Sequence, residues 1–160
     1  MKVLLSKIIL LFLFSPCLHA LAQTPDDADK KKVLEKVNHF FEALEKKDTA
    51  LYSSLVMPNA QIWVVRMFKD TLQNPVRTFS EDFKRLAVMK EVIQEKPFRY
   101  TVTIHKEIAV VWAPYTLSLS GRFSHCGIDV FTLLKTMSGW KIVSTVYSVE
   151  PGGCAEVQKR

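Results

Sequence analysis

Apolar residues recur with two different periods along the chain, and the change of period divides it. Val33, Leu34, Val37, Phe40, Phe41 and Leu44 fall on one stripe with charges opposite, the spacing of an amphipathic helix. Asp26, Asp27 and Asp29 stand at its positive end, and Lys46 and Lys47 at its negative end, which suits the helix dipole. Asp48 predicts the N-cap of a second, short helix carrying Leu51 and Leu55, which Met57-Pro58-Asn59 should end. Residues 60–68, with Ile62, Trp63, Val64 and Val65, read as strand, and residues 69–78, marked by Asn74-Pro75, as loop. Ser80 predicts the cap of a third helix, with Glu81 and Asp82 in its first turn. Phe83, Leu86, Ala87 and Ile93 would be its apolar contacts and Pro97 its stop. After Pro97 the pattern alternates. It predicts strands over 98–104, 107–119, 123–136 and 140–149, with two-residue turns at Ser120-Gly121 and Ser138-Gly139. Pro151-Gly152-Gly153 closes the sheet and a polar tail follows. Helices first and antiparallel strands after define an α+β class, with a sheet packed against three N-terminal helices.

The two turns fix a register, provided no bulge intervenes. Counting out from them, Thr116 opposes His125, Pro114 opposes Gly127, Trp112 opposes Asp129, and Asp129 opposes Ser148 on the far side. One sheet face then combines Trp112, Thr116, His125, Asp129 and Ser148 with apolar neighbours. The other, with Val111, Ala113, Tyr115, Cys126, Ile128 and Val130, is almost wholly apolar. Neither face is written for water. Three helices cover one, so the other calls for a second copy of the chain or for the C-terminal tail. A homodimer is therefore expected.

The first residues carry an address. Lys2 and Lys7 precede the apolar run Ile8-Ile9-Leu10-Leu11-Phe12-Leu13-Phe14, and Ala20-Leu21-Ala22 supplies a small-x-small cleavage site. Residues 1–22 thus read as a signal peptide and 23–160 as a single domain, periplasmic or secreted, with no stable membrane span after cleavage. Loss of Lys2 and Lys7 lowers the net charge from +6 to +4. Lys30-Lys31-Lys32 is then one solvated helix face rather than a nucleic-acid footprint. Cleavage also removes Cys17. It leaves Cys126 and Cys154, an even pair in an oxidising compartment, and the register sets Cys126 opposite Pro151 with two glycines to bend the tail back. A Cys126–Cys154 disulfide is expected.

The chemistry is sparse. No His, Cys or carboxylate cluster has metal-ligand spacing, and there is no Gly-rich phosphate loop or nucleophile elbow, so neither metal nor cofactor is expected. His125 and Asp129 are the strongest candidates. They lie ~13 Å apart along one strand at ~3.3 Å per residue, so each must act separately or on a ligand between them. Three readings stay open. His125 could simply bond Thr116, and Asp129 Ser148 or the Trp112 indole. The same five residues, Trp112, Thr116, His125, Asp129 and Ser148, could hold a small ligand. His125 or Asp129 could move a proton.

Four segments carry a family resemblance: Asn38-His39-Phe40-Phe41-Glu42-Ala43-Leu44 with Asp48, Val110-Val111-Trp112-Ala113-Pro114-Tyr115, Ser124-His125-Cys126-Gly127-Ile128-Asp129-Val130-Phe131, and Gly139-Trp140-Lys141-Ile142. In this order and spacing, over nearly all of residues 31–150, the sequence resembles the nuclear-transport-factor-2-like superfamily, also called SnoaL-like, in its secreted bacterial branch. The resemblance implies a cone-shaped domain whose curved sheet and helices enclose a pocket. Members include ketosteroid-isomerase-like enzymes, polyketide cyclases, dehydratases and plain binding proteins, so fold does not fix function. The isomerase pattern of an Asp base with a Tyr–Asp oxyanion hole does not map onto this chain residue by residue. The leading expectation is an exported domain binding a small apolar or amphipathic molecule. The alternatives are an isomerase- or dehydratase-type enzyme using His125 or Asp129, and a non-catalytic interaction module.

Overall fold

The computed structural model describes residues 25–159; the expected signal peptide, residues 1–22, and Cys17 lie outside them. Helix α1 (Pro25–Lys46) buries its stripe, with Val33 and Val37 fully enclosed. At its end Lys47 turns to positive φ, and the Asp48 side chain accepts the Leu51 amide at 2.9 Å to start α2 (Thr49–Leu55), as the sequence predicts. The expected stop at Met57-Pro58-Asn59 is corrected: those residues already belong to β1 (Val56–Phe68). Two short strands, β2 (Thr71–Gln73) and β3 (Val76–Thr78), occupy the expected loop and fold back on β1.

Helix α3 (Phe79–Val88) is capped by Thr78, not Ser80. Thr78 and Glu81 form a reciprocal capping box, which satisfies two otherwise orphaned amides. The helix also ends nine residues before Pro97. Residues Ile93–Pro97 form strand β4, whose backbone groups pair with an open sheet edge. After β5 (Thr101–His105) come the long strands β6 (Ile108–Leu119), β7 (Arg122–Thr136) and β8 (Gly139–Val149). The eight strands run β2-β1-β8-β7-β6-β4, with β3 on β1 and β5 on β6. The α+β class holds. The strands after α3 pair antiparallel as expected, and β1 joins the sheet parallel to β8.

Register is where the sequence reading needs most correction. The Ser120-Gly121 turn is as predicted, both residues at positive φ. A bulge between Leu117 and Ser118 then shifts the pairing by one, so that Leu117 opposes His125, Thr116 opposes Cys126, and Ala113 opposes Asp129. The next turn is Met137-Ser138, since Thr136 pairs with Gly139, and a second irregularity at Leu133 sets Asp129 opposite Tyr147 rather than Ser148. One-residue slips move side chains to the other face. Trp112, Thr116 and Ser148 therefore do not share a face with His125 and Asp129. Bulges also bend long strands, and here they accompany a curled sheet with helices α1–α3 on its concave side.

Aromatic rings fill the join. Phe40 meets Phe131 and Tyr52 at centroid distances of 5.0 Å, and Phe79 and Phe83 continue the cluster over Tyr52. Trp140 is buried, and Asp29 at the start of α1 accepts from both its indole (3.4 Å) and Lys135 (2.6 Å), tying the helix to the β7–β8 hairpin. The tail is not merely polar. A Cys126–Cys154 disulfide, Cα–Cα 5.7 Å, pins helix α4 (Cys154–Lys159) to β6 and β7, with Val157 buried.

Candidate functional site

Between the helices and the concave sheet lies a cavity of ≈ 250 Å³, room for about eight waters at ~30 Å³ each. Phe40, Leu44, Ile62, Leu86, Ile93 and Leu117 provide apolar wall; polar groups come from seven elements. Of the five residues singled out from sequence, the register brings His125 and Asp129 to this cavity. Trp112 is 42% exposed on the convex face, and Thr116 pairs with Cys126 there. The Ser148 hydroxyl takes the Ile128 amide at 3.0 Å and donates to Glu150 at 2.9 Å.

Asp129 is 3% exposed, and its Oδ2 finds no hydrogen-bond partner. Thr145, 2% exposed, likewise has an unpartnered hydroxyl. Both line the cavity. Thr145 is two residues from Tyr147, the cross-strand partner of Asp129, a diagonal spacing of ~7–8 Å between side-chain bases. Buried polar groups rarely go unsatisfied, so two on one cavity wall mark a place where something else completes them.

The acid neighbour of Asp129 is Glu95. By register they are far apart: Glu95 lies across from Leu117, in the row of His125, on the edge strand. The curl of the sheet brings the two carboxyls into hydrogen-bonding reach. Such a contact is a bond only if one of them carries a proton. Burial is the main cause that pushes both up. Glu95 rises to about 7, partly restrained by its bond to Asp129. Asp129 is pushed well above the carboxylate range by burial and then by the charge and bond of Glu95. The proton therefore sits on Asp129 with Glu95 as acceptor, and the pair carries one negative charge only once Glu95 has titrated.

A second network lines another wall. Tyr52 Oη donates to Asp82 Oδ2 (3.1 Å), Arg77 Nε donates to Asp82 Oδ1 (2.5 Å), and Arg77 Nη2 reaches Tyr147 Oη (3.3 Å). It joins α2, α3, β3 and β8, and neutralises Arg77 and Asp82 against each other. Tyr115 crosses Gly127 to donate to the Ser148 carbonyl at 2.7 Å. A Cβ at Gly127 would stand 2.1 Å from that same carbonyl, so glycine is required by close approach of β8. The His125 ring lies edge-on to Tyr115, with Nδ1 2.9 Å from Ser124 Oγ rather than on Thr116, and burial lowers its pKa, leaving a neutral imidazole.

Sequence reasoning missed Glu95, Thr145, Arg77 and Arg85. Glu95 was hidden because residues 93–97 were read as the end of a helix; the alternation Ile93, Glu95, Pro97 was the available signal.

The sequence profile of a family described as "Putative lumazine-binding" matches residues 28–148. No curated protein matches the sequence. Solved structures are similar in fold. A nuclear-transport-factor-2-like protein of Cytophaga hutchinsonii superposes with TM-score 0.65 at 11% identity, covering 75% of this chain and 97% of that one. A "putative dehydratase" of the same kind from Streptomyces avermitilis gives 0.60 at 19%, covering 78% and 97%. The β subunit of a "putative aromatic-ring-hydroxylating dioxygenase" from Novosphingobium aromaticivorans gives 0.65 at 9%, covering 78% and 91%.

Proposed function

The chain belongs to this lumazine-binding-like family, and from that membership we propose that it is an exported small-molecule-binding domain of the secreted bacterial branch of nuclear-transport-factor-2-like proteins. The observation that carries the reading is the pair of buried, unpartnered groups, Asp129 Oδ2 and Thr145 Oγ1, on one apolar-walled cavity. A ligand of about one ring system, with a hydrogen-bond donor for Asp129 Oδ2, would satisfy both the polar groups and the wall. The family's description makes lumazine the first probe. Export is supported by a disulfide, which persists in oxidising compartments. Native mass spectrometry of the exported protein should show a bound small molecule released on unfolding, and Asp129→Leu with Thr145→Val should be isolated empty. Exported protein that is ligand-free, and that gives no thermal shift with lumazine or related ring compounds, would overturn the reading.

The proton held between Glu95 and Asp129 favours one second reading, proton transfer on a bound carbonyl compound, with Asp129 the donor and ionised Glu95 the acceptor. Turnover abolished in Asp129→Asn with binding retained would establish it.

The convex face supports a homodimer. Trp63, Val146, Val130 and Trp112 lie side by side across β1, β8, β7 and β6, and Trp63 (40%) and Trp112 (42%) are exposed. Helix α4 covers the sheet near Cys126. A standard interface buries about 1,600 Å² in total. Sedimentation at micromolar concentration should show a dimer, and Trp112→Lys a monomer; a monomeric parent protein would end this proposal.

A further inference from the structure

We propose that the ligand is an amphipathic acid that enters neutral end first, its anionic group held by Arg85 at the cavity mouth and its far end hydrogen-bonded by Asp129 and Thr145 at the floor. The inference rests on the small-molecule reading above and names the class. Arg85 stands in the last turn of α3, is exposed, and lines the cavity. Its guanidinium has no ion pair or hydrogen bond among the described residues. The other guanidinium on this cavity, Arg77, is occupied by Asp82 at 2.5 Å. Asp82 lies one turn before Arg85 and spends both carboxyl oxygens on Tyr52 and Arg77.

The charges therefore run along an axis. A free cation stands at the surface, and the Glu95–Asp129 acid pair stands inside, with apolar wall from Leu86, Met89 and Ile93 between them. An anion driven to the floor would meet Glu95 at close range in a poorly solvated site, where both repulsion and desolvation oppose it. The same anion at Arg85 gains a charge-assisted, bidentate bond. A hydroxyl is the group the floor accepts, since the Asp129 proton is held by Glu95 and leaves Oδ2 to accept, while Thr145 can donate or accept. A structural role for Arg85, as a cation at the negative end of α3, would contribute to helix stability without any preference among ligands.

A matched fluorescent series separates these cases: 6-hydroxy-2-naphthoate, its methyl ester, and 2-naphthol. The wild-type protein should bind the acid at least tenfold more tightly than the ester, with the advantage shrinking in high salt. Arg85→Gln should abolish that advantage and leave the affinity for 2-naphthol unchanged, while Arg85→Lys should keep part of it. Equal affinity for acid and ester in the wild type, or an acid preference that survives Arg85→Gln, overturns this inference and leaves the binding reading standing. Failure of all three compounds to bind overturns this inference, and it overturns the binding reading as well only where the exported protein is also ligand-free and gives no thermal shift with lumazine or related ring compounds.

Discussion

Glu95→Gln should stabilise the protein at pH 8 and leave it nearly unchanged at pH 4.5. Burial raises the Glu95 carboxyl from its ordinary 4.5 to about 7. A group whose pKa is raised on folding holds its proton in the native state after the unfolded chain has released it. Its stabilisation is complete below the unfolded value and is lost as pH rises through the folded one. The window here is pH 4.5 to about 7, and Asp129, also raised, adds to the loss with the same sign. Above it, ionised Glu95 costs about 3 kcal/mol, since each tenfold change in proton affinity is worth ~1.4 kcal/mol. Gln keeps the shape and the hydrogen bond without the charge, so the difference between variant and wild type should open across that window. The carboxyls of Asp29, Glu42 and Glu81 are lowered instead, by Lys135, Lys46 and the Thr78 cap, and act at acid pH with opposite sign. Urea unfolding at pH 4.5, 6 and 8 is the measurement. Parallel pH profiles for the two proteins would mean that Glu95 ionises freely and that no proton is shared.

How much of this was legible in the sequence follows from the range of the forces involved. The α1 stripe, the Asp48 cap and the Ser120-Gly121 turn depend on neighbours in sequence, and each forms as read. Cys126 and Cys154 needed only the disulfide's tolerance for a slip of one residue, since Cys126 pairs with Glu150 where Pro151 was expected. The site had no such tolerance. His125 and Asp129 reach the cavity because they share a strand and a parity, so no slip between strands can part them. Trp112, Thr116 and Ser148 were placed beside them across turns, and one bulge on each side of β7 sends them elsewhere. Glu95 reaches Asp129 only through the curl of the whole sheet, which no local pattern encodes.

Removing the Cys126–Cys154 bond is the other large effect expected. It closes a loop of 28 residues' separation, and on the chain-entropy account such a cross-link stabilises by about 3–4 kcal/mol. The bond also anchors α4. This helix is six residues long, too short to persist alone, and it keeps Val157 out of water only while docked on β6 and β7. Cys154→Ser should therefore lower the denaturation midpoint and make α4 amides exchange rapidly. Cys126→Ser should cost more, because Cys126 is fully buried and the new hydroxyl would need a partner; Glu150 and Gly152 carbonyls stand nearest. The cavity lies on the opposite face, so ligand affinity at a temperature where both proteins are folded should not change. Thiol counting on denatured, unreduced, exported protein should find none, and two after reduction. Two reactive thiols without reductant would show that the bond does not form, and a dimer held only on a non-reducing gel would show that it forms between chains.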